Sequence, residues 1–143
     1  MTKISEVMTT DVETIGADES ARQAANFMLR ADTGSIPVMD GETLIGMITD
    51  RDIAVRGVAH GHGPDTPVRE LMTDEVICVR QDENVADVAA KMSEAQVRRV
   101  PVIDQDNRLC GIVSLGDLSR ETESDAASQA LEGVSRPGGL HSQ

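Results

Sequence analysis

The sequence V-R-R-V-P-V-I-D-Q-D-N-R-L-C-G-I-V-S-L-G-D, which spans residues 97–117, contains two short apolar runs separated by a polar stretch. The runs are Val100–Ile103 and Leu109–Val113, and the polar stretch is residues 104–108. Short apolar runs on either side of a turn are typical of two strands joined by a tight connection. The stretch therefore predicts a β-hairpin.

Polar side chains stand at both ends of this predicted hairpin. Arg98 and Arg99 precede its first strand, and the motif Ser114-x-x-Asp117 follows its second strand, where a helix can begin. Because the two strands are antiparallel, the start of one lies beside the end of the other. We therefore expect a cationic pair, a hydroxyl and a carboxylate to lie near one another.

The same pattern occurs earlier in the chain. A shift of 64 residues aligns Met8-Thr9 with Met72-Thr73 and Ile36-Pro37-Val38 with Val100-Pro101-Val102, and a shift of 65 aligns Gly46-Met47-Ile48-Thr49 with Gly111-Ile112-Val113-Ser114 and Asp52 with Asp117. Two copies are too few for a solenoid. The repeat predicts a pseudo-symmetric pair of β-α-β-β-α motifs packed sheet to sheet, in the α+β class, since one small three-stranded sheet has a marginal core.

The predicted elements follow from apolar periodicity and turn residues. In the first copy they are a strand Val12–Ile15, a helix from Asp18 to Ala31, strands Ser35–Met39 and Leu44–Ile48, and a helix from Asp50 to Gly57. A Gly- and Pro-rich linker, residues 59–67, and a helical turn Val68–Met72 lead into the second copy. There we expect a strand Val76–Val79, a helix Val85–Ala95, the hairpin, and a helix from Leu115 that extends to about Leu131 and precedes a disordered tail.

Composition narrows the class of partner. The chain has 143 residues, a net charge of -12 and one aromatic residue, a Phe. Such an acidic surface repels nucleic-acid backbones and anionic membranes, so we expect neither as a partner. It leaves room for one small anion in a locally basic pocket. With no long apolar run and two cysteines read as buried free thiols, we expect a cytoplasmic protein.

The motifs Thr49-x-x-Asp52 and Ser114-x-x-Asp117 have two interpretations. Each is a capping box, in which the hydroxyl caps a helix and the acid closes the box. Each is also suited to a ligand, because a carboxylate accepts hydrogen bonds from two vicinal hydroxyls, as on a ribose, and a helix start favours phosphate. Both interpretations hold if the hydroxyl caps while the carboxylate faces the ligand.

Arg98 and Arg99 favour a phosphate near the second motif, because guanidinium is always charged and donates several hydrogen bonds. The alternative is a salt bridge to one of the chain's many acids. The first copy has Gly34 and Ser35 at these positions. We expect a phosphate site there to be weaker or to use a different cation such as Arg51. The alternative interpretation of Arg51 is a solvated residue on the helix surface.

Pro37 and Pro101 lie inside predicted strands. Proline has no N–H, so it belongs at a sheet edge or where the ladder is interrupted. Free backbone groups beside it are then available to an adenine edge, whereas simple edge protection is the other interpretation.

The remaining reactive residues give no active-site pattern. His60 and His62 are either weak metal ligands or parts of a flexible linker, and we favour the linker because only Asp65 stands at a suitable spacing. Cys78 and Cys110 have no C-x-x-C context and are predicted core residues. The sequence contains no nucleophile–base order, P-loop or dinucleotide fingerprint, so we expect no enzyme and no metal or required cofactor.

The doubled unit with G-S-I-P-V…G-M-I-T-D-R-D and R-R-V-P-V…G-I-V-S-L-G-D resembles a tandem CBS-domain pair, or Bateman module, over about residues 4–122. It is similar to the small stand-alone bacterial and archaeal members, including the hypoxic-response type. The resemblance implies adenosine-containing ligands such as AMP, ADP or ATP in two clefts between the motifs, and commonly a homodimer.

The resemblance also implies roles for individual residues. Asp52 and Asp117 would hold ribose hydroxyls with Thr49 and Ser114 beside them, and Arg98 and Arg99 would reach phosphate. Thr14, Val79 and the backbone about Ile36, Pro37, Val100 and Pro101 would frame the base.

Three hypotheses about function follow. The first is a regulatory module that senses an adenine nucleotide and modulates an unidentified partner in trans; the second is a ligand-free structural dimerisation module; the third, which we disfavour, is a phosphohydrolase. The expected organisation is motif 1 with an N-terminal lead-in at 1–58, a linker at 59–67, motif 2 at 68–122, and a helix end and tail at 123–143.

Overall fold

The structure is a computed structural model that describes residues 2–121. These residues form two small sheets and three α-helices. In chain order these are β1 Ile15–Gly16, α1 Ala21–Ala31, β2 Ser35–Asp40, β3 Thr43–Thr49, β4 Val79–Arg80, α2 Val85–Ala95, β5 Arg99–Ile103, β6 Leu109–Ser114 and α3 Leu115–Glu121. Short 3₁₀ helices cover Ile4–Glu6, Val58–His60 and Val68–Glu70, and a π-helix covers Asp52–Gly57. The predicted tail and the helix beyond residue 121 lie outside the described residues.

Each sheet has the predicted connectivity. In one sheet the order is β1-β2-β3, with β1 parallel and β3 antiparallel to β2. In the other the order is β4-β5-β6, with the same directions. The register pairs Val38 with Gly46 and Val102 with Gly111, so the two shifts of the sequence repeat superimpose the two hairpins. The predicted α+β class and the repeat are confirmed.

The first strand of each copy begins later than the sequence predicts. β1 starts at Ile15 opposite Val38, and β4 starts at Val79 opposite Val102. In each case the ladder begins directly after the proline of the central strand. Proline cannot donate a backbone hydrogen bond, so the residues before Ile15 and Val79 lie outside the ladder.

The chain packs as two units that differ from the order of the repeat. The first-sheet unit is residues 13–76, and the second-sheet unit is residues 2–12 together with 77–121 of the described chain. Chain order predicts that residues 1–58 belong to motif 1. In the structure, however, residues 2–12 pack with the second sheet. The boundary at residues 59–67 remains a prediction about the repeat itself.

A Met-Thr pair lies against the last strand of each sheet. The pair is Met8-Thr9 in the segment that precedes the first copy of the repeat and Met72-Thr73 in the segment that precedes the second copy, and we call these the lead-in segments. Thr9 exchanges two backbone hydrogen bonds of 2.9 Å with Ile112, and Thr73 exchanges bonds of 2.8 and 2.9 Å with Met47. The neighbouring glycines make this approach possible, because a Cβ on Gly111 would stand 2.6 Å from the Thr9 carbonyl oxygen and one on Gly46 would stand 2.6 Å from that of Thr73. The repeated Met-Thr and Gly of the sequence are thus parts of one contact in each unit.

Each unit has its own aliphatic core, as the near absence of aromatic residues requires. The core of the first-sheet unit contains Ile15, Ala17, Ala21, Ala24, Met28, Ile36, Val38, Ile48, Val68 and Leu71. That of the second-sheet unit contains Ile4, Val79, Val85, Val88, Ala89, Met92, Val97, Val100, Val102, Val113 and Leu118. The strands contribute one face of each sheet and the helices α1 and α2 contribute their apolar stripes.

The helix predicted for residues 50–57 is wider than an α-helix over most of its length. Asp52–Gly57 is π-helical, and its last residue is buried against the segment that follows the linker, since a Cβ on Gly57 would lie 3.3 Å from Leu71 Cδ1. The linker is also fixed at its end, because the N–H groups of Ala21 and Arg22 donate to Thr66 and Pro64. Apolar periodicity does not predict the π-helical geometry of Asp52–Gly57, which occurs where this helix packs against the segment after the linker.

Candidate functional site

The two T/S-x-x-D motifs form reciprocal capping boxes at the ends of β3 and β6. The Thr49 N–H donates to Asp52 Oδ2 at 3.0 Å, and the Asp52 N–H donates back to Thr49 Oγ1 at 3.0 Å. The Ser114 N–H donates to Asp117 Oδ2 at 2.9 Å, and the Asp117 N–H donates to Ser114 Oγ at 3.3 Å. The structural interpretation of the motifs is therefore present in both units.

Asp52 and Asp117 are buried, with exposed fractions of 4% and 6%. The main chain turns directly after each outer strand, and the capping bonds hold each carboxylate against that turn. A carboxylate can accept about four hydrogen bonds. The capping function therefore does not by itself exclude a ligand hydroxyl as a further donor.

Asp52 has two partners that the sequence reasoning missed. Thr73 Oγ1 donates to its carboxylate at 3.3 Å from Oδ1, and Arg56 Nε lies 3.7 Å from the same oxygen. Arg56 also donates through Nη1 to the Met72 carbonyl oxygen at 2.9 Å. The Arg56 contact has a sequence signal, since residues four apart meet on a helix, whereas Thr73 is brought in only by the lead-in segment.

Burial sets the titration of this carboxyl group. Desolvation raises the pKa of Asp52 above the ordinary value of 3.8, and the hydrogen bonds from Thr49 and Thr73 together with the Arg56 charge oppose that rise. The ionised form is thus the costly one for this residue. A donor arriving from a ligand would stabilise that ionised form.

The predicted cationic pair lies beside the second motif. Arg99 is the first residue of β5 and pairs with Ser114 in the ladder. The Arg98 carbonyl oxygen accepts a hydrogen bond from the Leu115 N–H at 3.1 Å. The structure thus brings both residues to the end of the hairpin that carries the hydroxyl and the carboxylate. Arg98 is exposed there and Arg99 is half-buried.

The residues expected to frame a base divide into two groups. Ile36, Pro37, Val100 and Pro101 are buried, and Ile36 and Val100 have no exposed surface. Both prolines lie in central strands, and each stands just before the ladder to the short first strand begins. Of the two interpretations of these prolines, the interrupted ladder applies and edge protection does not.

Thr14 and Val79 are not equivalent positions. The strand register matches Val79 with Ile15, and both are core residues. The residue that corresponds to Thr14 is therefore Cys78. Thr14 is exposed and, with Ile15, Gln23 and Phe27, lines a cavity of about 460 Å³ beside α1, whereas the Val79 side chain is enclosed in the core.

The thiols and histidines have ordinary surroundings. Cys78 and Cys110 are not joined in a disulfide and are half-buried rather than core residues, and burial raises the pKa of the Cys78 thiol, which makes it less reactive. Cys110 lies on β6 as predicted, but Cys78 lies one residue before β4. His60 and His62 are exposed, and among residues 2–121 no group of three or more metal-ligating side chains is close enough to hold an ion.

The CBS-domain model matches residues 4–57 and 68–124. The chain belongs to the CBS-domain family. The two matches are the two copies of the sequence repeat, so this is a CBS-domain pair.

Several CBS proteins resemble it over nearly the whole chain. The CBS domain-containing protein YhcV of Bacillus subtilis is 38% identical over 136 residues, which covers 94% of this chain and 96% of that protein. Hypoxic response protein 1 of Mycobacterium tuberculosis is 36% identical over 144 residues, 99% of this chain and 100% of that protein. Inosine-5'-monophosphate dehydrogenase of Methanocaldococcus jannaschii is 30% identical over 92% of this chain but only 26% of its own length, so the similarity lies in one part of that enzyme.

Solved CBS structures share the fold. Hypoxic Response Protein I, solved with two coordinated zinc ions, has a TM-score of 0.78 and 38% identity, with 85% of this chain and 100% of that chain covered. The CBS domain pair of protein MJ0100, in complex with 5'-methylthioadenosine and S-adenosyl-L-methionine, has a TM-score of 0.73 and 32% identity, with coverage of 85% and 95%. CBSX2 in complex with AMP has a TM-score of 0.75 and 25% identity, with coverage of 85% and 96%.

Within residues 2–121, no helix of this CBS pair has both the length and the apolar character that crossing a bilayer requires.

Proposed function

We propose that this CBS-domain pair is a regulatory module that binds an adenosine-containing nucleotide such as AMP, ADP or ATP and modulates a protein partner in trans. The observation that carries the proposal is the end of the second hairpin, where Arg98 and Arg99 lie beside the Ser114–Asp117 capping box. Two related CBS structures with adenosine ligands support the ligand class.

The chemistry of this hairpin end matches the two polar parts of a nucleotide. A buried carboxylate such as Asp117 accepts hydrogen bonds from both vicinal hydroxyls of a ribose. Guanidinium groups of Arg98 and Arg99 donate to phosphate oxygens. In a chain with a net charge of -12, a local cationic pair is needed for an anion to approach at all.

A ligand regulates only if it binds one conformation better than another. At Asp52, Thr73 from the lead-in segment already donates to the carboxylate. A ribose at this residue would compete with Thr73 for the same oxygens. Ligand binding would thereby alter the hold on that segment, which gives a physical route from the ligand to the partner.

The proposal includes a homodimer and a cytoplasmic location without catalysis, metal or a required cofactor. Large apolar side chains on the surface of the first-sheet unit support the homodimer, since Leu29 is 81% and Val58 71% exposed. Cys78 and Cys110, which are not joined in a disulfide, support a reducing compartment. Nucleic acid and membrane remain excluded from the proposed partners on grounds of charge.

A ligand-free dimerisation module is the second candidate. It is favoured by one specific observation: Thr49, Asp52, Ser114 and Asp117 all have capping functions that require no ligand. In that case these residues stabilise the starts of helices and form no nucleotide site. The two candidates differ in whether nucleotides raise the stability of the protein.

The test is thermal unfolding of nucleotide-stripped protein with AMP, ADP, ATP, NAD or S-adenosylmethionine. A ligand at 100 times its dissociation constant adds about 2.7 kcal/mol to the free energy of unfolding. We expect a higher midpoint with at least one nucleotide, and loss of the phosphate-dependent part of that shift in Arg98→Ala. Asp117→Ala should weaken binding at the second motif.

Asp106→Ala is the matched control, because it removes the same charge from an exposed turn of the same unit. It should leave the ligand-induced shift unchanged. No shift with any ligand, in a protein that remains dimeric, would instead favour the dimerisation module.

A further inference from the structure

The two hairpins have equivalent geometry where the first inner strand meets the end of the outer strand. The Gly34 carbonyl oxygen accepts from the Asp50 N–H at 3.0 Å, and the Arg98 carbonyl oxygen accepts from the Leu115 N–H at 3.1 Å. Ser35 pairs with Thr49 as Arg99 pairs with Ser114. Gly34, Ser35 and Asp50 are therefore the positional equivalents of Arg98, Arg99 and Leu115.

The charges at these equivalent positions are opposite in sign. The second-sheet unit has two arginines and a leucine there, whereas the first-sheet unit has a glycine, a serine and an aspartate. The proposed phosphate position of the second-sheet unit thus corresponds to a position of negative charge in the first. The backbone path is alike in the two units, whereas the side chains differ both in size and in charge.

Asp50 occupies the space that an arginine stem would need. A Cβ on Gly34 would lie 3.0 Å from Asp50 Oδ2, and its three nearest heavy atoms all belong to the Asp50 carboxyl group. The other carboxylate oxygen accepts from the Arg51 N–H at 2.8 Å, which fixes the side chain at the start of the turn. The carboxylate is thereby held over Gly34.

The cations of the first-sheet unit do not replace the missing arginines at this point. Arg56 is held by the Met72 carbonyl oxygen and by Asp52. Arg51 is exposed and follows Asp50 directly, so its positive charge opposes the effect of Asp50. Its contribution has to be measured separately.

We infer that Asp50 is a specificity-determining residue that makes the two nucleoside positions of this chain unlike. The first-sheet unit accepts an adenosine derivative whose 5' substituent is uncharged or cationic, and the second-sheet unit accepts one with a 5' phosphate. This inference rests on the proposed function, because it assumes that Asp52 and Asp117 hold a ribose. A phosphate near Gly34 would meet a fixed carboxylate instead of two guanidinium groups.

The experiment compares AMP with 5'-methylthioadenosine by isothermal titration calorimetry. In Asp117→Ala, which leaves the first-sheet unit to bind alone, we expect 5'-methylthioadenosine to bind more tightly than AMP. Adding Asp50→Asn should strengthen AMP binding by at least about fivefold, the effect of roughly 1 kcal/mol between like charges a few ångströms apart in water. The affinity for 5'-methylthioadenosine should not change, because it carries no phosphate.

Two controls sharpen the assignment. Asparagine keeps an oxygen that can accept from the Arg51 N–H, so Asp50→Asn removes charge with little change in the turn. Arg51→Ala in the same background should weaken AMP binding or leave it unchanged, opposite in direction to Asp50→Asn. If Asp117→Ala fails to fold, titration of the chain with Asp117 intact gives the test, because Asp50→Asn should strengthen the weaker of two AMP-binding steps by about fivefold and leave the stronger step unchanged.

Each other outcome overturns a defined statement. Equal affinity of the first-sheet unit for AMP and 5'-methylthioadenosine, binding of neither there, or no effect of Asp50→Asn on AMP overturns the role of Asp50 while the proposed function stands. Failure of 5'-methylthioadenosine and of AMP, ADP and ATP to bind the protein with its natural sequence overturns the proposed function and this inference with it.

Discussion

Asp52 both caps the start of a helix and places a carboxyl group in a buried position. Its carboxylate closes a capping box with Thr49 and also faces Thr73 and Arg56. Its burial nevertheless raises the pKa of the group, because loss of hydration outweighs these favourable contacts. The ionised form of Asp52 therefore costs stability.

The raised pKa of Asp52 fixes the sign of a pH dependence. Folding favours the protonated carboxyl group, so its stabilising contribution is complete below the ordinary value of 3.8 and is lost as pH rises through the raised pKa. We expect the free energy of unfolding of the natural protein relative to Asp52→Asn to fall as pH rises. Urea unfolding of both proteins from about pH 3 to about pH 7 measures it.

Asp104 is the matched control with the opposite sign. The backbone N–H of Arg108 donates to its carboxylate at 3.0 Å and lowers its pKa. Its stabilising contribution is present above 3.8 and is lost as pH falls through the lowered pKa. The stability of the natural protein relative to Asp104→Asn should therefore rise with pH, and the same slope for both variants would contradict the assignments.

At the scale of elements, the helices α1 and α2 are equivalent in the repeat but begin differently. Ser20 caps α1, with its Oγ accepting from the Gln23 N–H at 3.2 Å and the Gln23 side chain accepting from the Ser20 N–H at 2.7 Å. Asn84 occupies the same position before α2 but makes no capping bond. The sequence prediction was right about the extent of α2, with Asp82 or Asn84 as its possible caps, but it placed the start of α1 at Asp18.

This difference predicts unequal effects of two alanine substitutions. Ser20→Ala removes a formed cap and should lower the free energy of unfolding by roughly 1 kcal/mol. Asn84→Ala removes no such bond, so we expect a smaller loss. Chemical denaturation of both variants makes the comparison, and an equal or larger loss for Asn84→Ala would show that the cap is not the source of the effect.

At the scale of the whole molecule, each core takes a residue from a lead-in segment. Ile4, fully buried, belongs to the core of the second-sheet unit, and Leu71, 1% exposed, belongs to that of the first-sheet unit. Each residue lies outside the β-α-β-β run whose core it completes. The stability of a sheet thus depends on a segment distant from it in sequence.

The location of local destabilisation should follow these contacts. Replacing a buried aliphatic side chain with alanine costs about 2–5 kcal/mol. We expect Ile4→Ala to lower amide hydrogen-exchange protection mainly in residues 79–118, and Leu71→Ala to lower it mainly in residues 15–57. Val55→Ala is the control, because that side chain is 44% exposed and belongs to neither core, so it should change stability far less.

The reverse assignment would contradict this division. If Ile4→Ala affected mainly residues 15–57, the lead-in segment would belong with the repeat copy that follows it in the chain.

The sequence by itself determined the repeat, the hairpins, the helix positions and both capping boxes. These features depend on neighbours within a few residues, through apolar period, turn chemistry and cap geometry, so a single sequence contains their signal. The capping residues Thr49, Asp52, Ser114 and Asp117 were predicted for this reason, and so was the cationic pair at the start of β5.

Only the tertiary structure decided which sheet each lead-in segment covers and what surrounds Asp52. The contacts of Thr73 with Asp52 and of Ile4 with the second core join residues far apart in the chain, and the choice of such a partner depends on packing rather than on local pattern. The same holds for the Asp50 carboxyl group, which is exposed to solvent but lies beside Gly34. The charge difference between the two copies is present in the sequence, and the pairing of the hairpin strands brings its members to one point of the fold.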